Sequence, residues 1–259
     1  MTHAYLPPTN TIRILAHRGL VGPEQEAAGV AENSFAALAA AHAAGAAYIE
    51  SDCHLTRDGH VVLFHDEDLG RVTGDPRPLR EVDLPELEEI MSNRGGLATL
   101  AQALAAFPDT RFNIDVKAED AAVPAGRIVA PAAERVLLTS FSDRRRRAAL
   151  AAAGSARPDL LPATSPGSGT IVHLLAAAVS TRAVARVLRG IDAVQIPERH
   201  GALRVLTPRL LDRVHAAGVE VHVWTVNDPA TMERLADLGV DGLVTDRADV
   251  AIRVFGAPD

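Results

Sequence analysis

Short runs rich in Val and Ile alternate along the whole chain with Ala- and Leu-rich segments that carry Arg and Glu at helical spacing. A chain that switches repeatedly between these two periodicities folds most readily as a parallel sheet with helical crossovers. The pattern predicts strands at 12–17, 47–53, 61–65, 112–117, 136–140, 159–163, 192–197, 220–226 and 242–245. Helices fit at 34–44, 97–106, 143–153, 170–189, 208–217, 229–238 and 247–254. Asn33 or Ser34, Thr207-Pro208 and Asp228-Pro229 suit the first positions of three of them. Nine strand slots in 259 residues come close to the eight of a (β/α)8 TIM barrel, whose usual length is about 250 residues. An open doubly wound sheet shares the alternation, but its glycine fingerprint is missing: residues 17–22 read HRGLVG and no helix opens there. No Ser-, Pro- or Gly-rich linker divides the chain, so residues 1–259 are expected to form a single domain.

One pair of strands breaks the rhythm. Seven residues separate 47–53 from 61–65, too few for a helical crossover. Fully extended they reach about 23 Å, enough to recross the barrel and bring the C-terminal ends of both strands to one face. The expected fold is therefore a distorted barrel with no helix between its second and third strands, its chemistry at the C-terminal mouth.

Polar residues at the strand ends fill that mouth. The first strand ends in His17-Arg18-Gly19 and the third in His65-Asp66. Glu50 and Asp52, then Asp115 and Lys117, stand two apart and so share a face of their strands; the eighth strand carries Trp224 and Asn227. Three carboxylates (Glu50, Asp52, Asp115) form a hard oxygen site suited to Mg²⁺ or Ca²⁺. Two histidines exchange protons near neutral pH, and Arg18 and Lys117 suit an anion whose charge grows in a transition state. This set describes phosphoryl-oxygen chemistry better than acyl or hydride transfer. Neither a G-x-S-x-G elbow nor an H-E-x-x-H motif is present.

Composition narrows the partners. A net charge of −7 and nine aromatic residues argue against nucleic acid. The run Arg144–Arg147 reads as a solvated basic face. Residues 1–10 contain neither a basic start nor an apolar run, and no stretch of eighteen apolar residues follows. With Cys53 the only cysteine, the expectation is a cytoplasmic chain without stable membrane association; a homo-oligomer stays open. Of 26 basic residues 25 are Arg, and the one lysine is Lys117.

The chain resembles the glycerophosphodiester phosphodiesterase family through an ordered series of blocks. They are His17-Arg18-Gly19, Glu32-Asn33-Ser34-Phe35, residues 45–52 (GAAYIESD), 55–59 (LTRDG), 61–66 (VVLFHD), 69–74 (LGRVTG), 97–100 (LATL), 113–117 (NIDVK), 223–228 (VWTVND) and Thr245-Asp246. The resemblance implies a TIM barrel that cleaves glycerophosphodiesters to glycerol 3-phosphate and an alcohol with a divalent metal. His17 and His65 match its general base and acid, Glu50, Asp52 and Asp115 its metal ligands, Arg18 and Lys117 its phosphate contacts, and Trp224 an aromatic wall of the cleft. Glu32 either supports this site or only favours the start of its helix by charge.

The chain departs from the family pattern in three places. Asp115 stands where the family usually has Glu, one methylene longer, so its contact with a metal is either direct or through water. Ala31-Glu32-Asn33-Ser34 replaces Pro-Glu-Asn-Thr, and the loop over 20–31 is longer than usual. Water and the neighbouring glycerol hydroxyl are both open as nucleophile, and the histidines can exchange roles. The competing readings are a phospholipase D-like enzyme on lysolipids or sphingolipids, and a non-catalytic binding member of the same fold.

Overall fold

In the computed structural model, which describes residues 3–256, the strands are β1 (Arg13–His17), β2 (Tyr48–Leu55), β3 (Val61–Leu63), β4 (Arg111–Val116), β5 (Val136–Thr139), β6 (Ala163–Thr164), β7 (Ala193–Ile196), β8 (Arg199–His200), β9 (Leu203–Arg204), β10 (Glu220–Val223) and β11 (Gly242–Thr245). Eight of them lie in the order β6-β5-β4-β2-β1-β11-β10-β7, every neighbouring pair parallel. The Asp192 N–H donates to the Thr164 carbonyl at 3.0 Å, and the Thr164 N–H to the Asp192 carboxylate at 2.8 Å, drawing β6 and β7 together. The result is the expected (β/α)8 barrel, nearly closed. Residues 1, 2 and 257–259 of the expected domain lie outside the described residues.

The third predicted strand is not a barrel strand. β3 pairs antiparallel with β2, Cys53 opposite Leu63 and Leu55 opposite Val61, which overturns the expected return across the barrel. A tight turn is responsible. The Thr56 hydroxyl donates to the Asp58 carboxylate at 2.6 Å, and Gly59, at φ +87°, takes a left-handed conformation that glycine adopts without steric cost. β2 is the longest strand, so it overshoots the rim and β3 brings the chain back down. The Phe64 N–H then bonds the Asp52 carbonyl at 3.0 Å, which returns His65 to the mouth. Residues 66–99 cover this hairpin with a satellite core of Phe64, Leu69, Leu79, Leu87 and Met91, and the helix Leu100–Ala106 makes the crossover to β4.

Helices also form at Phe35–Ala43, Asp143–Ala156, Pro208–His215, Pro229–Asp237 and Ala248–Phe255. The single helix expected over 170–189 is two, Ser168–Ala177 and Thr181–Val187, because Ser180 caps the second through the Ala183 N–H. β6 begins after Pro162, later than the 159–163 expected, since proline lacks the N–H a strand ladder needs. The pattern does not predict the helix Ala122–Val129, which contains Pro124 and Gly126. Pro124 sits in the first turn, where a missing N–H is no loss. Gly126 permits close packing on the next helix, since a Cβ would lie 2.1 Å from the Ala149 carbonyl oxygen. Arg146 corrects the solvated basic face: it is buried, bonded to Asp143 and to the Thr164 hydroxyl.

Alternation along the strands separates two cores. Ile14, Ile49, Ile114, Leu138, Val221 and Leu243 face the helices, whereas Leu15, Tyr48, Leu137, Ala193 and Val244 fill the barrel. Tyr5 and Leu6, fully buried, plug its lower end. There Arg13 binds both Glu220 oxygens at 2.8 Å, the Tyr48 hydroxyl at 2.8 Å and the Pro7 carbonyl at 2.7 Å. Burial alone would raise the Glu220 pKa, but hydrogen bonds from Arg13 and His222 outweigh it and pull it to about 2 from the usual 4.5. The carboxylate therefore stabilises the fold fully above about pH 4.5, and this contribution fades as pH falls toward 2. Glu220→Gln is expected to cost about 3 kcal/mol at pH 7 by leaving Arg13 unpaired, and less at pH 3.5. Urea unfolding at the two pH values checks this; an equal cost at both would contradict it.

Candidate active site

At the upper end of the barrel, strand register decides which side chains meet. β1 pairs with β2 so that His17 stands beside Glu50, and β2 with β4 so that Asp52 stands beside Asp115. After His17 the chain turns sharply. Arg18 sits at φ +57°, and Gly19 presses so close to the helix Phe35–Ala43 that a Cβ would be 2.6 Å from the Ala37 backbone. Asn33, at φ +59°, is the other non-glycine residue with positive φ among the described residues. Such conformations cost on the order of 1 kcal/mol or more and persist where surrounding contacts fix them. Here the Arg18 N–H bonds the Glu50 carbonyl at 2.9 Å, and the Ser51 hydroxyl holds the Asn33 side-chain carbonyl at 2.6 Å.

Asp52 is the hub. One of its oxygens meets Lys117 Nζ at 2.9 Å; the other meets Arg18 Nε at 3.1 Å and Asn33 Nδ2 at 3.2 Å. Lys117 also binds Asp115 at 2.7 Å. Burial would raise the Asp52 pKa, but the charges of Lys117 and Arg18 overcome it and lower the pKa. At Asp115 burial outweighs Lys117, and the pKa is raised. Lys117 itself is held charged, because the attraction of Asp52 and Asp115 exceeds the penalty of its burial. Glu50 is pushed up to about 8 by burial and by the Asp52 charge. Its nearest partners are the Arg18 N–H at 3.2 Å and His17 Nε2 at 3.9 Å.

Each histidine leans on an aspartate. His17 Nδ1 lies 2.6 Å from Asp246 Oδ1, and His65 Nδ1 lies 2.6 Å from Asp66 Oδ1. An ionised carboxylate only accepts, so Nδ1 is the donor in both pairs and Nε2 is left for chemistry. Burial disfavours the His17 imidazolium, but the Asp246 hydrogen bond and the Glu50 charge more than offset it, and the pKa is raised. Asn227 steadies Asp246, donating to Oδ2 at 2.7 Å and accepting the Asp246 N–H at 2.9 Å.

His17, Arg18, Glu50, Asp52, His65, Asp115, Lys117 and Trp224 line one cavity of about 560 Å³. Glu32 stands behind it, accepting from Arg18 Nη1 at 2.8 Å, and the strand-end residues Asp66 and Asn227 also lie outside its lining. Trp224 is half-buried and meets Phe141 edge-on, ring centres 5.9 Å apart, so it is a wall as well as a neighbour of the core. Beyond it the cavity is apolar, with Ile171, Val172, Leu175, Leu203 and Val205. Sequence reasoning missed Asp246 and Asp66 as histidine partners and Asn33 as a ligand of Asp52. All three lie in the quoted blocks, but only tertiary pairing assigns them these roles.

Among the described residues no three His, Cys, Asp or Glu side chains converge as a metal cluster, since Lys117 stands between Asp52 and Asp115. The donor chemistry nevertheless fits a hard divalent cation. Asp115 Oδ1 is buried without a partner, and the raised pKa of Glu50 is the response of a buried carboxylate short of positive charge.

Fold and mouth together define a TIM-barrel enzyme. A sequence profile of the Glycerophosphoryl diester phosphodiesterase family matches residues 17–250. A protein of Mycobacterium tuberculosis named probable glycerophosphodiester phosphodiesterase 2 is 39% identical over 244 residues, 91% of this chain and 88% of that protein. The structure of a glycerophosphodiester phosphodiesterase from Thermotoga maritima shares the fold with a TM-score of 0.72 at 24% identity, covering 95% of this chain and 100% of the other. An Oleispira antarctica phosphodiesterase, solved in complex with the product sn-glycerol-3-phosphate, aligns with a TM-score of 0.69 at 20% identity over 94% of this chain and 95% of its own. The chain belongs to the glycerophosphoryl diester phosphodiesterase family.

Lys117→Met would leave Asp52 and Asp115 facing each other without the cation between them. A loss of about 3 kcal/mol or more is expected, and adding Asp115→Asn should recover part of it. Thermal unfolding of the single and double variants checks this; a Lys117→Met protein as stable as the wild type would contradict it.

Proposed function

We propose that the chain hydrolyses glycerophosphodiesters to sn-glycerol 3-phosphate and an alcohol with the help of Mg²⁺ or Ca²⁺. The observation that carries this reading is the convergence of two aspartate-oriented histidines and two cations on three carboxylates in one barrel mouth. The 39% identity to a probable glycerophosphodiester phosphodiesterase supports it.

Arg18 and Lys117 bind the phosphate, Arg18 through its fork and Lys117 as a point charge. His17 Nε2 takes the proton from the attacking oxygen, which is water or the neighbouring glycerol hydroxyl; in the second case expulsion of the alcohol leaves a cyclic phosphate that water then opens to glycerol 3-phosphate. Asp246 fixes the ring and stabilises the imidazolium as it forms. His65 Nε2 protonates the leaving alcohol oxygen as the phosphorus–oxygen bond breaks, with Asp66 in the corresponding supporting place. Glu50, Asp52 and Asp115 would hold the divalent ion, which when bound supplies Lewis-acid stabilisation of charge on the phosphoryl oxygens. The alcohol lies along the apolar wall that includes Trp224. In this reading the chain acts as one barrel domain on small molecules in the cytoplasm, consistent with a lone buried thiol at Cys53. Among the described residues no helix is long and apolar enough to cross a membrane.

Incubation with glycerophosphocholine and Mg²⁺ or Ca²⁺ should release glycerol 3-phosphate, and chelation of the metal should stop it. His17→Ala and His65→Ala should each slow turnover by about 10²- to 10⁴-fold. Absence of glycerol 3-phosphate, or activity that survives His17→Ala, would overturn the proposal.

A further inference from the structure

Arg71, in the short helix Gly70–Thr73, lies outside the cavity and belongs to none of the roles described above. Its guanidinium spans two carboxylates. Nε donates to Asp66 Oδ2 at 2.6 Å and Nη2 to Glu32 Oε1 at 2.5 Å. Each carboxylate hands the contact on to the mouth. Asp66 Oδ1 holds His65 Nδ1 at 2.6 Å, and Glu32 Oε1 also receives Arg18 Nη1 at 2.8 Å. On the other side of the mouth Asn227 plays a similar part for His17, holding the free oxygen of Asp246.

We infer that Arg71 is a positioning residue that sets His65 and Arg18 in register through Asp66 and Glu32. This rests on the hydrolase reading above, in which Arg18 binds phosphate and His65 protonates the leaving group. Each aspartate spends one oxygen on its histidine and the other on a partner that stops the carboxylate rotating. The two partners differ in kind. Asn227 touches only the His17 side, whereas the Arg71 fork joins the proton donor to a phosphate contact, so a shift at either carboxylate is felt at both. Stability alone does not account for the arrangement: the Arg71 side chain is 52% exposed, and exposed ion pairs add little to folding.

The test uses the full-length protein with glycerophosphocholine and Mg²⁺, as wild type, Arg71→Ala, Arg71→Lys, the Glu32→Gln/Asp66→Asn double variant, and that double variant with Arg71→Ala. Arg71→Ala is expected to lower kcat about 10- to 100-fold with an unchanged melting temperature. Arg71→Lys, a point charge able to hold one carboxylate at a time, should recover part of the loss. In the double-variant background Arg71→Ala should cost less than about twofold, because its route to the site is already cut. The ring-nitrogen NMR signals of His65 should shift in Arg71→Ala while those of His17 stay in place. Active wild type with Arg71→Ala within about twofold of it, or an equal loss in both backgrounds, would overturn the inference. An inactive wild type would instead overturn the hydrolase reading. The His65 signals then decide on Arg71 by themselves: unmoved they overturn the positioning role, moved they support it.

Discussion

The bridge of Lys117 between Asp52 and Asp115 is the contact on which the upper half of the barrel depends. Parallel pairing of β2 and β4 places those two carboxylates side by side, and both are almost fully buried. Two buried like charges at that spacing repel and resist ionisation unless a cation stands between them. Lys117 and Arg18 supply positive charge on either side of Asp52, while Glu50, buried and beside the Asp52 charge, has its pKa raised to about 8. A site left slightly short of positive charge is suited to receive a cation, and the two side-chain cations are suited to meet an anion.

The barrel organises this charge by stacking layers. At the lower end Arg13 and Glu220 form a complete ion pair sealed by Tyr5 and Tyr48, which needs no ligand. In the middle, Leu15, Leu137 and Val244 separate the two polar ends. At the upper end the ion pairs are incomplete and strained backbone at Arg18 and Asn33 is tolerated, as expected where binding rather than stability sets the geometry. The histidines enter from opposite directions, His17 on the first strand and His65 on a hairpin arm that folds back from the overlong second strand.

Much of this was legible in the sequence because periodicity is local. The alternation marked nine strands, eight of which coincide with barrel strands, the sixth only at its edge, and the i, i+2 spacing put Glu50 with Asp52 and Asp115 with Lys117 on single faces. The direction of β3 was not legible: a seven-residue gap fits either a recrossing or a hairpin, and only the Thr56–Asp58 bond with the left-handed Gly59 selects the second. The helix at Ala122–Val129 was hidden because Pro124 and Gly126 break helices in isolation, yet both are harmless in this packing. Asp246 and Arg71 escaped for another reason. Asp246 lies 229 positions from His17, and Arg71 joins its near neighbour Asp66 to Glu32, 39 positions back; no spacing rule makes either pairing. The solitary lysine stood out in a chain that otherwise uses Arg, but as an anion contact; its place between two buried carboxylates follows only from the register of β2 with β4.

As proposed above, the mouth gathers a divalent cation on its carboxylates and an anion on Arg18 and Lys117. Crystals soaked with Ca²⁺ and glycerol 3-phosphate test it most directly. The ion is expected on Glu50, Asp52 and Asp115, directly or through water at Asp115, with the phosphate against Arg18 and Lys117 between the two histidines. An ion bound away from these carboxylates, or a phosphate that leaves Arg18 and Lys117 untouched, would contradict it.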